Sequence, residues 1–483
     1  MKADETTHLT AVPESEEPSE STDNSAKQFV TVGDAIERIG CGFGTILYVS
    51  GAYGCLIMNG ANVSVMSIVS LLVRCEWNLS TAAVSSLQVM DMLFAAISSL
   101  SLSNMGDKFG RKPVLIVATL GSIIAGVLSS FTTQLWQLLC CRAIAGTCVG
   151  IGIGPGIAYS AEIPTIKFRA VGLAAGGLGW GIGTVLSGGM AYLTIGPYDW
   201  RGYLLFTAAI CSVFLLVLLV IRESPRHDVE VGKVDEAQKT LESLSKLNCS
   251  ETKLQNLEIT QNLDTPAEEI KNLYQRYQAL KGTGHFIEFC VLVCVNLTGE
   301  FVYMSILYVG PYFINEGYCG SNIFIPEESC EFSDSTLFYL GVVGLADPIS
   351  IVLGLLVVNY IGRIKMLRAT AVFPLISLSF LYLCGMPEIY VLVIFLLTRA
   401  SICILSWLVF VITGESFPTS VRAFCVCILG GCYSIASVTA AFAIHPAYEK
   451  SASLVVIVMQ AVLLITAVGS FFVKRETSGA QLD

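Results

Sequence analysis

The sequence predicts an all-α membrane protein whose 12 transmembrane helices form two six-helix, pseudo-symmetric halves. Of its 483 residues, 54% are hydrophobic and 14% are charged, with a mean hydropathy of +0.68, whereas soluble domains are about 25% charged. So few charges cannot cover the surface of a soluble chain of this length. Nucleic-acid binding and soluble enzyme chemistry are therefore disfavoured. Two further observations, the long apolar runs and a repeated set of motifs, specify the fold class.

The apolar runs are long enough to cross a bilayer, which takes about 20 mostly apolar residues in a helix. They lack the apolar–polar alternation of strands, so helices are predicted. Six runs precede a polar stretch and six follow it. The predicted spans are 45–70, 82–103, 114–131, 136–160, 171–194, 203–221, 285–314, 335–358, 369–386, 389–412, 423–446 and 452–473.

The net charge of −10 arises largely from two polar segments and does not indicate a partner. Residues 1–40 and 222–283 hold 20 of the 38 acidic residues. Residues 1–40 lack the order of a cleaved signal peptide and predict a disordered, acidic cytoplasmic segment. The other predicted units are 41–222 (the first six-helix half), 223–284 (a cytoplasmic linker with an amphipathic helix at 233–247), 285–473 (the second half) and 474–483 (a cytoplasmic tail).

Basic residues predict the orientation, because Lys and Arg accumulate on the cytoplasmic side of membrane proteins. With the N-terminus in the cytoplasm, 23 of the 28 Lys and Arg residues are cytoplasmic and three lie outside. Both termini are therefore predicted to be cytoplasmic. Trp77, Trp136 and Trp200 then fall at the outer edge, where amphipathic rings anchor helices.

The predicted outer side carries two candidate modifications. Cys319 and Cys330 share one loop and are a candidate disulfide, although a sequence supplies no geometry to decide it. Asn78 begins the one sequon predicted to face outward and is a candidate glycosylation site. The other cysteines fit ordinary packing, and no Cys/His spacing indicates a metal site.

Several motifs occur twice, once in each predicted half. Gly110-Arg111 follows the second span, and Gly362-Arg363 follows the eighth span 252 residues later. After the fourth and tenth spans, a Glu precedes an Arg by seven residues in both copies. This second motif comprises Glu162 with Arg169 and Glu415 with Arg422. Parallel six-helix repeats are typical of transporters that work by alternating access.

The repeated residues resemble the signatures of the major facilitator superfamily. Asp107-Lys-Phe-Gly-Arg-Lys112 is similar to its loop signature, and Arg142-Ala-Ile-Ala-Gly146 is similar to its fourth-helix signature. Cys75-Glu-Trp77 and Glu223-Ser-Pro-Arg226 resemble the branch of organic cation and anion transporters and synaptic vesicle glycoprotein 2. Val32-Gly-Asp-Ala-Ile-Glu-Arg-Ile-Gly40 resembles the SVOP type within it. The resemblance covers about residues 30–480.

The resemblance implies an inner gate made of charges at the cytoplasmic ends of the helices. Ion pairs that exist in one conformation bias the protein toward that conformation. The alternative is that these are positive-inside residues with ordinary helix caps. Asn359 stands where the second copy would have an acid, which makes the gate uneven. The predicted gate comprises Asp107, Gly110, Arg111, Lys112, Glu162, Arg169, Gly362, Arg363, Glu415 and Arg422.

Five ionisable residues lie within the predicted spans: Asp91, Arg142, Glu300, Asp347 and Arg399. A charge at mid-bilayer costs at least ~3 kcal/mol, so such residues usually face a cavity or a partner. Buried acids are candidate proton carriers or counter-charges for a cation. The alternatives remain open: the arginine in the fourth span fits helix orientation, and the acid in the eighth span precedes a proline and fits a kink.

The first span departs from the resembled family. Asn59 and Asn62 stand where SVOP-type relatives carry acids, and their spacing places both on one helical face. Amides can bind a substrate but cannot accept a proton at neutral pH. In this interpretation, Asp91 or Glu300 is therefore the candidate acid for proton coupling.

We hypothesise a secondary active transporter of a small organic solute, cationic or zwitterionic, that works by alternating access with protons as a candidate coupling ion. The alternative is a non-transporting binding or trafficking protein of a vesicle membrane, built on a transporter scaffold. Neither an enzyme activity nor a cofactor is predicted. The predicted partners are the solute, the bilayer and protons, for a monomeric unit in the plasma membrane or an intracellular vesicle.

Overall fold

The computed structural model describes residues 28–102, 105–250, 257–259, 273–282, 284–316, 334–382, 388–417 and 419–474. Nearly all of these residues are helical, as predicted. Many large apolar side chains are exposed on the bundle surface; Tyr360 is 91% and Val220 is 76% exposed. Such a surface suits lipid contact.

The first half contains five long helices and a short one. They are α2 (Phe43–Trp77), α3 (Thr81–Ser101), α4 (Met105–Phe109), α5 (Arg111–Ser130), α6 (Leu135–Glu162) and α7 (Arg169–Val220), with a 3₁₀ turn at Ile166–Phe168 before α7. We call the side at which α2 begins the tail side and the side at which it ends the far side.

The second half contains the remaining spans. They are α11 (Phe286–Glu316), α12 (Asp334–Gly344), α13 (Ala346–Ile361), α14 (Arg363–Ser379) with a 3₁₀ turn at Phe380–Tyr382, α15 (Glu388–Ser416), α16 (Thr419–Lys450) and α17 (Ala452–Phe472). The predicted ninth span, 369–386, begins earlier than expected, and residues 383–387 lie outside the described part of the chain.

Eleven helices of the described residues are long and apolar enough to cross a membrane. One of them, α7, has 52 residues; at 1.5 Å per residue it would measure roughly 78 Å, more than twice the hydrocarbon core. Its backbone leaves helical geometry at Asp199, where φ is 63° and ψ is 179°. Because α7 supplies two spans, the count is the predicted twelve.

The eighth span is broken at Leu345, between α12 and α13. Pro348 follows closely, and a proline cannot donate a backbone hydrogen bond to the residue four positions earlier. Leu345 keeps right-handed helical dihedrals (φ −63°, ψ −18°), so the interruption lies in the hydrogen-bond pattern ahead of the proline. The side chain of Asp347, just after this interruption, is fully buried.

The two Gly-Arg motifs have a common backbone role. Gly110 and Gly362 both have positive φ, 100° and 88°, and each immediately precedes the first residue of a helix, α5 or α14. Residues with a side chain rarely adopt this conformation. The repeat therefore marks the same tight connection in each half.

Residues 28–40, which the sequence prediction placed in a disordered segment, are ordered; that prediction was wrong for this part. Strand β1 (Gln28–Val30) pairs in parallel with β2 (Leu257–Ile259), and α1 (Val32–Ile39) follows it. The apolar face of α1 packs against α9 (Val234–Leu247) beneath the first half. Burial of Ile36 and Ile39 provides the driving force that composition alone did not indicate. Residues 1–27 lie outside the described residues.

The remaining short helices flank the connection between the halves. They are α8 (Pro225–Glu230) and α10 (Leu273–Gly282). Leu280 of α10 packs with Phe289 and Phe417 of the second half. The amphipathic segment predicted at 233–247 is α9, which lies against the first half.

Trp200 is not an interfacial anchor, contrary to its prediction. Its side chain is 1% exposed, donates from Nε1 to Glu76 at 2.5 Å, and meets the Trp77 ring edge-on at 5.8 Å. Arg201 lies over its ring and pairs with Glu76 at 2.9 Å. Trp136, by contrast, is 61% exposed.

Candidate functional site

A buried ion pair lies at the centre of the second half. Arg399 of α15 donates from Nε to Asp347 Oδ1 at 2.8 Å and from Nη2 to Oδ2 at 2.6 Å. Tyr303 of α11 donates to the same Oδ2 at 2.7 Å and accepts from Arg399 at 3.0 Å. Such a bidentate, hydrogen-bonded geometry is what allows a buried pair to offset its desolvation.

The first half reaches into this network through α7. Trp180 donates from Nε1 to the Tyr303 hydroxyl at 2.8 Å, and Thr184 donates to Asp347 Oδ2 at 3.3 Å. The Trp180 ring also meets the Tyr433 ring of α16 edge-on at 5.1 Å. Any motion of the halves at this depth must therefore break or remake hydrogen bonds to Asp347 and Tyr303.

The first half contains an equivalent pair, between α3 and α6. Arg142 lies 3.7 Å from Asp91, and donates to Ser129 at 2.7 Å and to Asn62 at 3.5 Å. This pair is looser than its counterpart, because neither Asp91 oxygen has a hydrogen-bond partner among the described residues. The sequence predicted both arginines and both acids separately; the structure pairs them in the same way in each half.

Glu300 is the one predicted intramembrane acid for which the described side chains supply no basic partner. It lies on α11, one turn toward the tail side from Tyr303, and accepts a hydrogen bond from Ser406 Oγ at 2.6 Å. Within the described residues, no Lys, Arg or His nitrogen lies within 4.0 Å of its carboxylate. It is 8% exposed, whereas Asp347 is fully buried. Its carboxylate therefore remains open to another donor.

A small cavity lies between the halves, on the far-side flank of this network. Its wall includes Ser64, Ser67, Thr184, Phe395 and Arg399. Its volume is about 30 Å³, enough for roughly two water molecules. A solute of even a few heavy atoms would need the walls of this cavity to separate.

The far side is closed by direct contacts between the halves. Arg74 of α2 pairs with Glu449 of α16 at 3.4 Å, and Thr81 also donates to Glu449. Deeper along α3, Gln88 contacts His445 Nε2 at 2.5 Å. The sequence prediction missed these contacts, because a lone Gln or His in an apolar span has no recognisable spacing.

On the tail side of the first half, Arg111 is the centre of a charged cluster. Its Nη2 lies 3.1 Å from Glu162 and 3.3 Å from Asp107, and its guanidinium contacts the His227 ring. Glu223 accepts the backbone N–H groups of Arg111 and Lys112 at 3.1 and 3.0 Å. The N-terminus of α5 is thus capped by Glu223.

The second half has a corresponding ion pair in the same place. Arg363 lies 3.3 Å from Glu415, and Arg111 lies 3.1 Å from Glu162. The side chains of Arg169 and Arg422 are outside the described set, as is that of Asn359. Each predicted gate pair that the structure describes joins helices of one half.

Residues 41–483 match the family of sugar (and other) transporters. The chain belongs to this family. Its relatives include the svop-1 protein of Caenorhabditis elegans, 25% identical over 475 residues, which are 96% of this chain and 89% of that protein. Synaptic vesicle 2-related protein of Rattus norvegicus is 26% identical over 464 residues, 94% of this chain and 82% of that protein.

Solved structures show the same fold. The xylose transporter XylE from E. coli, in a partially occluded inward open conformation, superposes with a TM-score of 0.67 at 18% identity, over 91% of this chain and 99% of that one. The predicted fold class, its superfamily and the resemblance to synaptic vesicle 2-related proteins are confirmed. The chain is a multi-pass membrane protein of a transporter family rather than an enzyme family.

The remaining predicted site residues lie in different parts of the structure. Asn59 is buried in α2 one turn from Asn62. Asn78 is exposed at the far-side end of α2, in left-handed geometry. Cys319 and Cys330 lie outside the described residues. Cys75, for which the sequence suggested no bond, is disulfide-bonded.

His227 should make the transporter's stability depend on pH. Burial and the Arg111 guanidinium lower the pKa of His227 below 6.5. The unfolded chain therefore takes up a proton near pH 6.5 that the folded chain does not, and stability falls as the pH drops through that value. Thermal unfolding in detergent, compared between wild type and His227→Gln at neutral and mildly acidic pH, should show a shallower acid loss in the variant.

The neighbouring Asp228 acts in the opposite direction. Burial and the Glu223 carboxylate raise its pKa to about 6, so the folded chain gains stability as this acid protonates. The comparison must therefore use the difference between wild type and variant. Equal acid losses in the two proteins would contradict the role of His227.

Proposed function

We propose that the protein is a secondary active transporter of a small organic solute, cationic or zwitterionic, that works by alternating access. The observation that carries this proposal is the Glu300 carboxylate, which lies next to the network joining the halves and has no basic partner among the described side chains. A solute ammonium would supply the missing counter-charge. The Tyr303 ring, one turn along α11, already makes a cation–π contact with the Arg399 guanidinium at 4.9 Å.

The tail-side clusters are proposed to support the inner gate by bracing the tail-side end of each half. Arg111 with Glu162, and Arg363 with Glu415, hold helix ends together within each half. They would keep each half rigid while the halves move. Glu223, which caps α5, and Gly110, which permits the turn before it, support the same role.

The tail side is proposed to be cytoplasmic, with both termini there. The bias of Lys and Arg supports this orientation. The disulfide of Cys75, at the far-side end of α2, supports it independently, because disulfides persist in oxidising compartments. The far side would face the exterior or a vesicle lumen. Relatives named for synaptic vesicles favour the vesicle membrane.

Counterflow in proteoliposomes tests the proposed function. The protein would be reconstituted with labelled probes of defined class: a primary amine, a quaternary ammonium, a zwitterionic amino acid and neutral xylose. We expect saturable counterflow of a charged probe. Flux of xylose alone would contradict the charge preference, and no flux of any probe would favour the non-transporting alternative.

Glu300→Gln should abolish most of the transport of the charged probe. The substitution retains the size and the hydrogen bond from Ser406 but removes the counter-charge, so we expect a loss of about 10-fold or more in uptake. Glu288→Gln, on the same helix nearer the tail side, is the matched control and should retain uptake. If Glu300 also carries the coupling proton, the variant loses its response to a pH gradient. Equal uptake by both variants would remove Glu300 from the site.

A further inference from the structure

The contacts that close the far side form one continuous column, which we call the far-side gate: Arg74, Ser85, Gln88, His445 and Glu449. Ser85 donates to the Ala441 carbonyl at 3.0 Å, one turn before the Gln88–His445 contact. Each of these contacts joins α2 or α3 to α16 and so joins the two halves. The gate must open whenever the centre is reached from the far side.

His445 is the titratable group in the middle of this column. Its side chain is 3% exposed. Its Nε2 lies 2.5 Å from Gln88 Oε1, and Gln88 donates in turn to Ser70 of α2 at 3.0 Å. A glutamine oxygen only accepts, so in this arrangement the ring donates. One neutral imidazole therefore completes a chain of hydrogen bonds across both halves.

The described side chains around the ring do not supply a counter-charge. From α11, the Tyr308 and Tyr312 rings stack or pack edge-on against it at 6.4 and 6.2 Å. On α16 itself, Tyr448 lies next to Tyr312, and Glu449 is held by the Arg74 of α2.

From α3, the nearest acid is Asp91, one turn beyond Gln88. It lies 3.7 Å from Arg142 of α6. Within the described residues, no carboxylate oxygen lies within 4.0 Å of the His445 ring. The described charged side chains near the ring are thus paired with other groups. None of them forms an ion pair with the ring itself.

We propose that His445 binds a proton from the far side and that this protonation opens the far-side gate. The proton adds to the imidazole and leaves a buried cation without a counter-ion, which is unfavourable where water is excluded. Separation of α3 from α16 would let water reach the ring. A ligand shifts an equilibrium toward the state that binds it better, so protons on the far side favour the open gate. This inference rests on the proposed function only in assuming that the two halves alternate in access.

Hydrogen exchange measured by mass spectrometry tests this proposal without any solute. The full-length protein in nanodiscs would be labelled at about pH 7.5 and about pH 5.5, on either side of the usual imidazole pKa of about 6.5. After correction for intrinsic exchange rates, we expect peptides covering 81–91 and 437–449 to exchange about threefold faster or more at the lower pH. Peptides of α14 should not, because that helix holds none of the residues of the far-side gate.

Two variants at position 445 and one matched control complete the test. His445→Gln and His445→Asn can still hydrogen-bond Gln88 but cannot be charged, so the far-side segments should lose their pH dependence. His285→Gln removes a half-exposed histidine on the tail side and should behave as wild type. An unchanged pH response in either folded position-445 variant, or no response in wild type, would overturn the proposal. Because no flux is measured, the result is independent of the proposed solute transport.

Discussion

Asp347→Asn should lower the free energy of unfolding by about 3–5 kcal/mol, the usual cost of breaking a buried ion pair from one side. The substitution leaves Arg399, which is 2% exposed, with a charge that the asparagine cannot compensate. It also weakens the hydrogen bonds from Tyr303 and Thr184. Unfolding in detergent, followed by denaturant or heat, measures this loss.

Two further variants separate the charge from the packing. Asp91→Asn, in the looser pair of the first half, should cost clearly less, because its carboxylate has no hydrogen bond to lose within the described residues. The double variant Asp347→Leu with Arg399→Met removes both charges and should recover much of the stability. Equal losses for Asp347→Asn and Asp91→Asn would contradict the difference between the two pairs.

Gly146→Ala should destabilise the protein by about 1–3 kcal/mol, although it adds a single methyl group. A Cβ at Gly146 of α6 would overlap the carbonyl oxygen of Asp91 and lie 2.8 Å from its carbonyl carbon. Since this obstacle is backbone, relief requires α3 and α6 to separate. That separation would also stretch the Arg142–Asp91 pair, so unfolding should occur at lower temperature or denaturant concentration.

Gly154→Ala, on the same helix, is the matched control. A Cβ there meets nothing within 4 Å, so the substitution should be neutral or stabilising by up to about 1 kcal/mol, through helix propensity. If both variants were destabilised alike, the effect would come from the helix backbone and not from the close approach of α3.

The sequence predicted the number and length of the helices well, because apolar runs of span length and a scarcity of charge are strong local signals. Asp347 and Arg399 were conspicuous because ionisable residues are rare at membrane depth. Their pairing was not predictable, since it depends on how α13 and α15 are rotated about their axes. The same holds for Asp91 and Arg142.

Two parts of the structure carried too little local signal. His445 and Gln88 are single polar residues in apolar spans, and only the packing of α3 against α16 brings their side chains into contact. The segment before α2 was dominated by its acidic neighbours. The spacing of Val32, Ile36 and Ile39 is typical of an amphipathic helix. That such a helix is ordered depends on its packing against the apolar face of α9, which the sequence does not show.

The pairing of β1 with β2 limits how far the two halves could separate in the proposed alternating access. Because β2 and α9 pack with the first half and α10 packs on the second, residues 260–272 join these two packed parts. Thirteen residues reach at most roughly 45 Å when fully extended. In the proposed alternating access, this reach limits how far Ile259 and Leu273 can separate, and the rest of the polar segment adds nothing to it.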